Sequence, residues 1–230
     1  MKRNILVVGS STYAKAVEDL GTTYHYVADF ISDPKSFSLV LFTGGADVDP
    51  SFYGEQSEDM CFTNLERDLQ EAHIFRVAKD NNVKMAGICR GLQFINVMAG
   101  GRLMHHIDRH DNAQHPFECF KDNVIRTVNS FHHQMIIPGP GCQIVGWCPE
   151  KRSKVYYGNN DKEVLWDGPE LEAAIYPEFN ACGVQWHPEW MLKKDAGNMF
   201  FVNMVSNLLE LSMKDLLSIY AEKKELKANG

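Results

Sequence analysis

The stretch Lys84-Met85-Ala86-Gly87-Ile88-Cys89-Arg90-Gly91-Leu92-Gln93 constrains this chain more than any other. It reads as a short buried strand, an abrupt turn at Cys89 and then a helix. Gly87 and Gly91 flank the cysteine two residues away on either side, which is the G-x-nucleophile-x-G spacing of a nucleophile elbow with Cys in place of Ser. A strand that turns at once into a helix cramps the backbone of its turn residue. Neighbouring chain then comes so close that the flanking positions favour residues without side-chain bulk. The arrangement exposes one sulfur at the C-terminal edge of a sheet and at a helix N-terminus, where the helix dipole favours thiolate over thiol. By itself the pentapeptide also fits a buried cysteine between an ordinary strand and helix.

Around the elbow the pattern is one of alternation. Residues 5–8 form a continuous apolar run, as expected of a parallel strand covered on both faces. A turn with an N-cap and a short helix over 13–20 follow. Further strands are expected over 24–27 and 38–42. Asn64 is placed to cap a helix running to about residue 81, with Leu65, Leu69, Ala72, Phe75 and Ala78 on its apolar face. Glu66-Arg67-Asp68 reads as its solvated first turn. The helix after the elbow stops at Gly100-Gly101. This order predicts a doubly wound α/β fold with a mostly parallel central sheet flanked by helices. Strands over 123–128, 144–147, 155–157 and 171–176 predict an additional antiparallel β portion in the C-terminal half. An amphipathic helix over 196–211 and a charged helical tail over 214–227 close the chain.

Two further stretches carry polar chemistry. Gly44-Gly45 follows the strand over 38–42, at the sheet edge where doubly wound folds bind ligands. Consecutive glycines let the backbone aim N–H groups at an anion, so the pair reads either as half of an oxyanion hole or as a plain turn. Gly183-Val184-Gln185-Trp186-His187-Pro188-Glu189 reads as a strand ending at Pro188. In extended chain His187 and Glu189 project to one side, and the carboxylate is then placed to orient the imidazole.

Residues 103–120 lack helical apolar periodicity and read as a flap beside the site. They hold His105, His106, His110 and His115. His106 and His110 would share a face of a helix, but no Cys or carboxylate completes a recognisable ligand set, so no metal is assigned. Asn129-Ser130-Phe131-His132-His133-Gln134 follows a strand end and reads as a substrate contact or as a solvated turn.

Size and charge narrow the function. A chain of 230 residues suits one sizeable α/β domain spanning 1–230. A net charge of −7 with no basic stripe argues against nonspecific nucleic-acid binding. No apolar run reaches the roughly 18 residues of a membrane helix. The apolar run at the N-terminus is too short for a signal peptide and reads as a first strand. Six cysteines without a CxxC pair, and no export signal, point to reduced thiols in a cytoplasmic protein.

Together, Gly87-Ile88-Cys89-Arg90-Gly91-Leu92-Gln93, Gly183-Val184-Gln185-Trp186-His187-Pro188-Glu189 and Thr43-Gly44-Gly45 resemble class I glutamine amidotransferases. The runs Gly44-Gly45-Ala46-Asp47-Val48-Asp49-Pro50, Tyr53-Gly54-Glu55, Glu66-Arg67-Asp68, Asn129 to Gln134 and Gln185 to Trp190 narrow the resemblance to the γ-glutamyl hydrolase branch, nearest the γ-glutamyl-γ-aminobutyrate hydrolases. It extends to about residue 211. The resemblance implies a flavodoxin-like α/β fold and a triad of Cys89 as nucleophile, His187 as base and acid, and Glu189 as its orienting partner. It further implies an oxyanion hole from the backbone N–H groups of Gly45 and Arg90. Substrate contacts fall to Gln93 and to His132, His133 and Gln134, with no cofactor. The implied substrate is glutamine or another small γ-glutamyl compound. A synthetase partner receiving ammonia and a homodimer are both compatible with the sequence, as is a non-catalytic metal-binding protein built on the histidine-rich segment.

Overall fold

The computed structural model describes residues 3–221 apart from 112 and 123. Its strands are β1 (Asn4–Val8), β2 (Thr22–Tyr24), β3 (Leu39–Phe42), β4 (Lys84–Ile88), β5 (Arg102–Met104), β6 (His106–Ile107), β7 (Ala113–Cys119), β8 (Ile125–Ser130), β9 (Met135–Ile137), β10 (Gln143–Cys148), β11 (Tyr156–Gly158), β12 (Lys162–Glu163), β13 (Glu170–Tyr176) and β14 (Ala181–Val184). The helices are α1 (Val27–Ser32), α2 (Leu65–Asp80), α3 (Arg90–Met98), α4 (Ala196–Glu210) and α5 (Met213–Tyr220). Among the described residues, no helix is long and apolar enough to cross a membrane.

One nine-stranded sheet organises these elements in the order β2-β1-β3-β4-β14-β13-β10-β7-β8. The first five run parallel and the remaining four add antiparallel. The parallel strands are apolar on both faces because both are covered. Ile5, Val7, Leu39, Leu41, Ala86 and Ile88 pack on the side of α4 and α5. Leu6, Val8, Val40, Phe42 and Met85 pack against residues of α2 and α3. A smaller three-stranded sheet, β12-β11-β6, and the β5-β9 pair extend the antiparallel half.

Four expectations are corrected. The second strand is Thr22–Tyr24 rather than 24–27. The residues after it coil into α1, where Asp29 N–H donates to Tyr26 O and Asp33 N–H to Asp29 O. Asn64 does cap α2, accepting from Arg67 N–H at 3.1 Å, but the buried face is rotated from the apolar stripe. Leu65 and Leu69 are exposed, while Asp68 and Glu71 are buried beside Ala72, Ile74, Phe75 and Ala78. The first turn of α2 is therefore not a solvated charge run, because Arg90 on α3 buries its guanidinium against those two carboxylates. Finally, residues 103–120 are not a flap. Most of them build β5, β6 and β7, and β7 belongs to the main sheet. Its buried positions are His115, Phe117 and Cys119, an alternation hidden in the sequence when imidazole is counted as polar. The strand expected from 123 is β8, and residue 123 itself lies outside the described residues, as does the end of the expected tail over 222–227.

The elbow is set by close backbone approach. Cys89 sits at φ +53°, a left-handed conformation costly for a residue with a side chain. A Cβ at Gly87 would lie 2.4 Å from the carbonyl carbon of Gly91, and one at Gly91 would lie 2.1 Å from the carbonyl oxygen of Phe42. These obstacles are backbone and cannot swing aside. Gly91→Ala is therefore expected to lose at least about 1–3 kcal/mol of stability, the usual cost of overpacking. Urea unfolding of the two proteins checks this; equal midpoints and slopes would contradict the clash.

Candidate active site

Three neighbouring parallel strands deliver the predicted residues to one sheet edge. β3 pairs with β4 so that Phe42 lies opposite Gly87, and β14 pairs with β4 so that Val184 lies opposite Ile88. The segments just beyond them are Thr43-Gly44-Gly45, Cys89 and Gln185-Trp186-His187. The register thus joins positions separated by about a hundred residues in the chain.

Cys89 is nearly buried and forms the N-cap of α3. Its N–H donates to Val184 O at 2.8 Å, and its Sγ lies 3.9 Å from Phe131 O. His187 Nδ1 is 2.7 Å from Glu189 Oε1, with both side chains buried. The sequence reading assumed extended chain here, whereas Pro188–Trp190 forms a 3₁₀ turn. The turn begins directly after His187 and brings the carboxylate back onto the ring. Asn129 fixes the His187 backbone in both directions, accepting from its N–H at 2.8 Å and donating to its carbonyl at 2.9 Å. Trp190 stacks on the imidazole at 4.2 Å with the planes 8° apart. Tyr13 Oη lies 3.4 Å from His187 Nδ1.

Burial disfavours charge on the His187 ring, but its interactions with Cys89 and Glu189 outweigh burial and raise the imidazole to about 10. Nε2 makes no hydrogen bond of normal geometry. Such looseness is common before substrate binds.

The glycine loop is clamped from behind. Gly45 has φ +138°, and a Cβ there would meet the Arg67 guanidinium at 2.2 Å. Arg67 donates to Thr43 O and Gly44 O at 3.1 Å each and to Glu71 Oε1 at 2.7 Å. The Arg90 side chain points away from the sulfur. It donates to Ala46 O at 3.1 Å and pairs with Asp68 and Glu71. Asp68 also accepts from Asp49 N–H at 2.9 Å. This buried network ties the first turns of α2 and α3 to the loop after β3.

Gly45, Ala46, Cys89, Arg90, Gln93 and residues 131–134 line a cavity of about 200 Å³ together with Asp47 and Phe62. The Gln93 amide donates to Gln134 O and to Gln185 Oε1, both at 3.2 Å. His133 Nε2 is 3.1 Å from Asp47 Oδ2, and Gln134 Nε2 is 3.2 Å from Cys61 Sγ. His132 Nδ1 donates to Gln134 O at 2.9 Å. His106 and His110 do not share a face: the first lies against His133 and the second against Glu170. Sequence reasoning gave no role to Tyr13, Arg67 or Trp190. Tyr13 carried no signal, whereas Arg67 sits in a charged helix turn whose partners only the fold reveals.

A mostly parallel sheet flanked by helices is the fold of class I glutamine amidotransferase structures. The chain belongs to the Peptidase C26 family, whose model matches residues 34–189. It is similar to the protein NtpR of Enterococcus hirae, at 28% identity over 69% of this chain and 72% of that one. It is also similar to a γ-glutamyl-γ-aminobutyrate hydrolase of Escherichia coli O157:H7, at 26% identity over 68% of this chain and 65% of that one. A glutamine amidotransferase structure from Thermotoga maritima shares the fold with TM-score 0.58 and 14% identity, over 94% of this chain and 84% of that one. The family and these relatives support a hydrolase.

Two predictions follow from the buried charges. Arg90→Met leaves buried Asp68 without a cation and Glu71 with Arg67 alone, and should cost about 3–5 kcal/mol in urea unfolding; a loss below about 1 kcal/mol would contradict the network. His187 has a folded-state pKa above its unfolded value, so the stability it confers is complete below about 6.5 and lost as pH rises through about 10. The unfolding free energy of the wild type should therefore fall with pH across that window more steeply than that of His187→Gln. Parallel curves would contradict the assignment.

Proposed function

We propose that the chain is a cysteine hydrolase that cleaves the γ-glutamyl amide bond of glutamine or another γ-glutamyl compound and releases glutamate. The observation that carries this reading is the meeting of Cys89, the His187–Glu189 pair and the Gly44-Gly45 loop at one edge of the sheet, with Cys89 and Gly45 lining a small cavity. Cys89 thiolate attacks the γ-carbonyl carbon and forms a C–S bond. The carbonyl oxygen becomes an oxyanion held by the backbone N–H groups of Gly45 and Arg90, a kind of donor whose loss typically costs about 10²–10³ in rate. His187 gives its proton to the amine nitrogen as the C–N bond breaks, leaving a γ-glutamyl thioester. The neutral imidazole then takes a proton from water, whose oxygen attacks the thioester carbonyl. The C–S bond breaks, glutamate leaves and the thiolate returns. Glu189 holds the Nδ1 side of the ring throughout. Gln93, His132, His133 and Gln134 form the wall assigned to the glutamyl group. The name of the Escherichia coli relative supports a γ-glutamyl substrate.

A second reading is a glutaminase subunit that passes ammonia to a synthetase. Phe131, Trp190 and Phe62, 41%, 55% and 73% exposed beside the site, favour it because a docked partner would cover them. The purified chain is tested alone with glutamine, γ-glutamyl-γ-aminobutyrate and a folate polyglutamate, reading glutamate release. Turnover of one of these without a partner supports the hydrolase; silence with all three, relieved by a synthetase, supports the subunit. Cys89→Ala should keep the fold and abolish release from any of them, and wild-type-like turnover would end the assignment. Glu189→Gln should lose less rate than His187→Ala, because orienting the ring matters less than carrying the proton; a reversed order would contradict these roles.

A further inference from the structure

Behind the cavity wall, four chain segments bring His110, His115, His132 and Glu172 together, all buried, with their potential ligand atoms within 4.8 Å of one another. Glu172 projects from β13, His115 from β7, His132 from the loop after β8 and His110 from the turn before β7. Glu172 Oε1 lies 3.3 Å from His115 Nε2, 3.7 Å from His132 Nε2 and 3.8 Å from His110 Nδ1. All three distances exceed the usual N–H···O range of 2.7–3.2 Å. His115 Nε2, His132 Nε2 and both Glu172 oxygens have no hydrogen-bond partner.

The outward ring nitrogens explain which way the lone pairs point. His110 Nε2 is 3.0 Å from Glu170 Oε2, His115 Nδ1 is 3.0 Å from Pro116 O, and His132 Nδ1 is 2.9 Å from Gln134 O. Each of these partners accepts. The Glu170 oxygens also receive Arg152 N–H, Ser153 N–H and the Tyr156 hydroxyl. A neutral imidazole that donates outward presents its other nitrogen as an acceptor. Three inward lone pairs then surround a carboxylate, and the one hydroxyl near them, Ser130 Oγ at 3.4 Å from His110 Nδ1, gives its proton to His110 O at 2.6 Å, which leaves a buried group of acceptors. Such a group is costly unless a cation fills it.

We propose that His110 Nδ1, His115 Nε2, His132 Nε2 and a Glu172 oxygen are the ligands of a Zn²⁺ ion. Metal–ligand bonds of about 2.0–2.1 Å give a tetrahedron with edges of about 3.3–3.4 Å, near the shortest of the observed N···O distances and slightly below the others. Imidazole with one carboxylate and no thiolate suits zinc, and four protein ligands close the site, as in structural zinc centres. The outward hydrogen bonds to Glu170, Pro116 O and Gln134 O are the supports that ligating histidines ordinarily have. Cys89 lies outside the set. The ion would fasten the 131–134 loop, whose Phe131 carbonyl faces the sulfur, to the antiparallel half of the sheet.

The test uses the full chain and reads metal content and melting temperature, neither of which depends on substrate. Plasma mass spectrometry of the protein, as purified or after Zn²⁺ addition and desalting, should find about one zinc per chain. Stripping with a chelator should lower the melting temperature and Zn²⁺ should restore it. Co²⁺ in place of zinc should give the visible spectrum of a tetrahedral site. Glu172→Gln should abolish stoichiometric binding, Cys89→Ala should keep it, and Glu170→Gln should weaken it about 10–100-fold. The wild type taking up no zinc, with an unchanged melting temperature, would overturn the proposal. So would stoichiometric zinc that survives in Glu172→Gln, since the ion would then sit elsewhere.

Discussion

The approach of two backbones at the elbow governs the rest of the architecture. Gly91 stands against the carbonyl of Phe42, and Gly87 against Gly91, so the end of β3 and the start of α3 are pressed together at the turn. Only that contact lets a strand pass into a helix within one residue, and Cys89 takes the strained φ that results. The parallel partners of β4 then end at the same level, one supplying the Gly44-Gly45 loop and the other leading to His187. The candidate site is thus a consequence of register more than of local sequence.

Buried charge does the fixing that apolar packing leaves open. Arg90 and Arg67 lie behind the site and grip carbonyls of Thr43, Gly44 and Ala46, orienting the loop from the rear while leaving its front free. Their carboxylate partners, Asp68 and Glu71, come from α2. Removing one member strands the others in a low-dielectric interior, which makes such networks costly to break. The same logic holds on the far side of the cavity, where Glu172 and three imidazoles are buried together.

The parallel half was largely legible in the sequence. Continuous apolar runs gave β1, β3 and β4, and the glycine spacing gave the elbow. The pairing of His187 with Glu189 was anticipated from two-residue spacing, although a 3₁₀ turn rather than extended chain makes the contact. What stayed hidden were polar groups that the fold buries. Asp68 read as solvent-facing because its partner, Arg90, lies about twenty residues away on another helix. His115 read as part of a flap because a strand with a buried imidazole breaks the apolar alternation on which strand recognition rests. Long-range pairing of charges leaves no periodic trace in one sequence.

The proposed function rests on bond cleavage through the sulfur of Cys89. Rapid acid quenching during turnover of a γ-glutamyl amide, followed by peptide mass spectrometry, tests it most directly. A γ-glutamyl group is expected on the peptide carrying Cys89 and on no other. Sustained glutamate release with that peptide unmodified at every quench time, and with the group found on another residue, would contradict it.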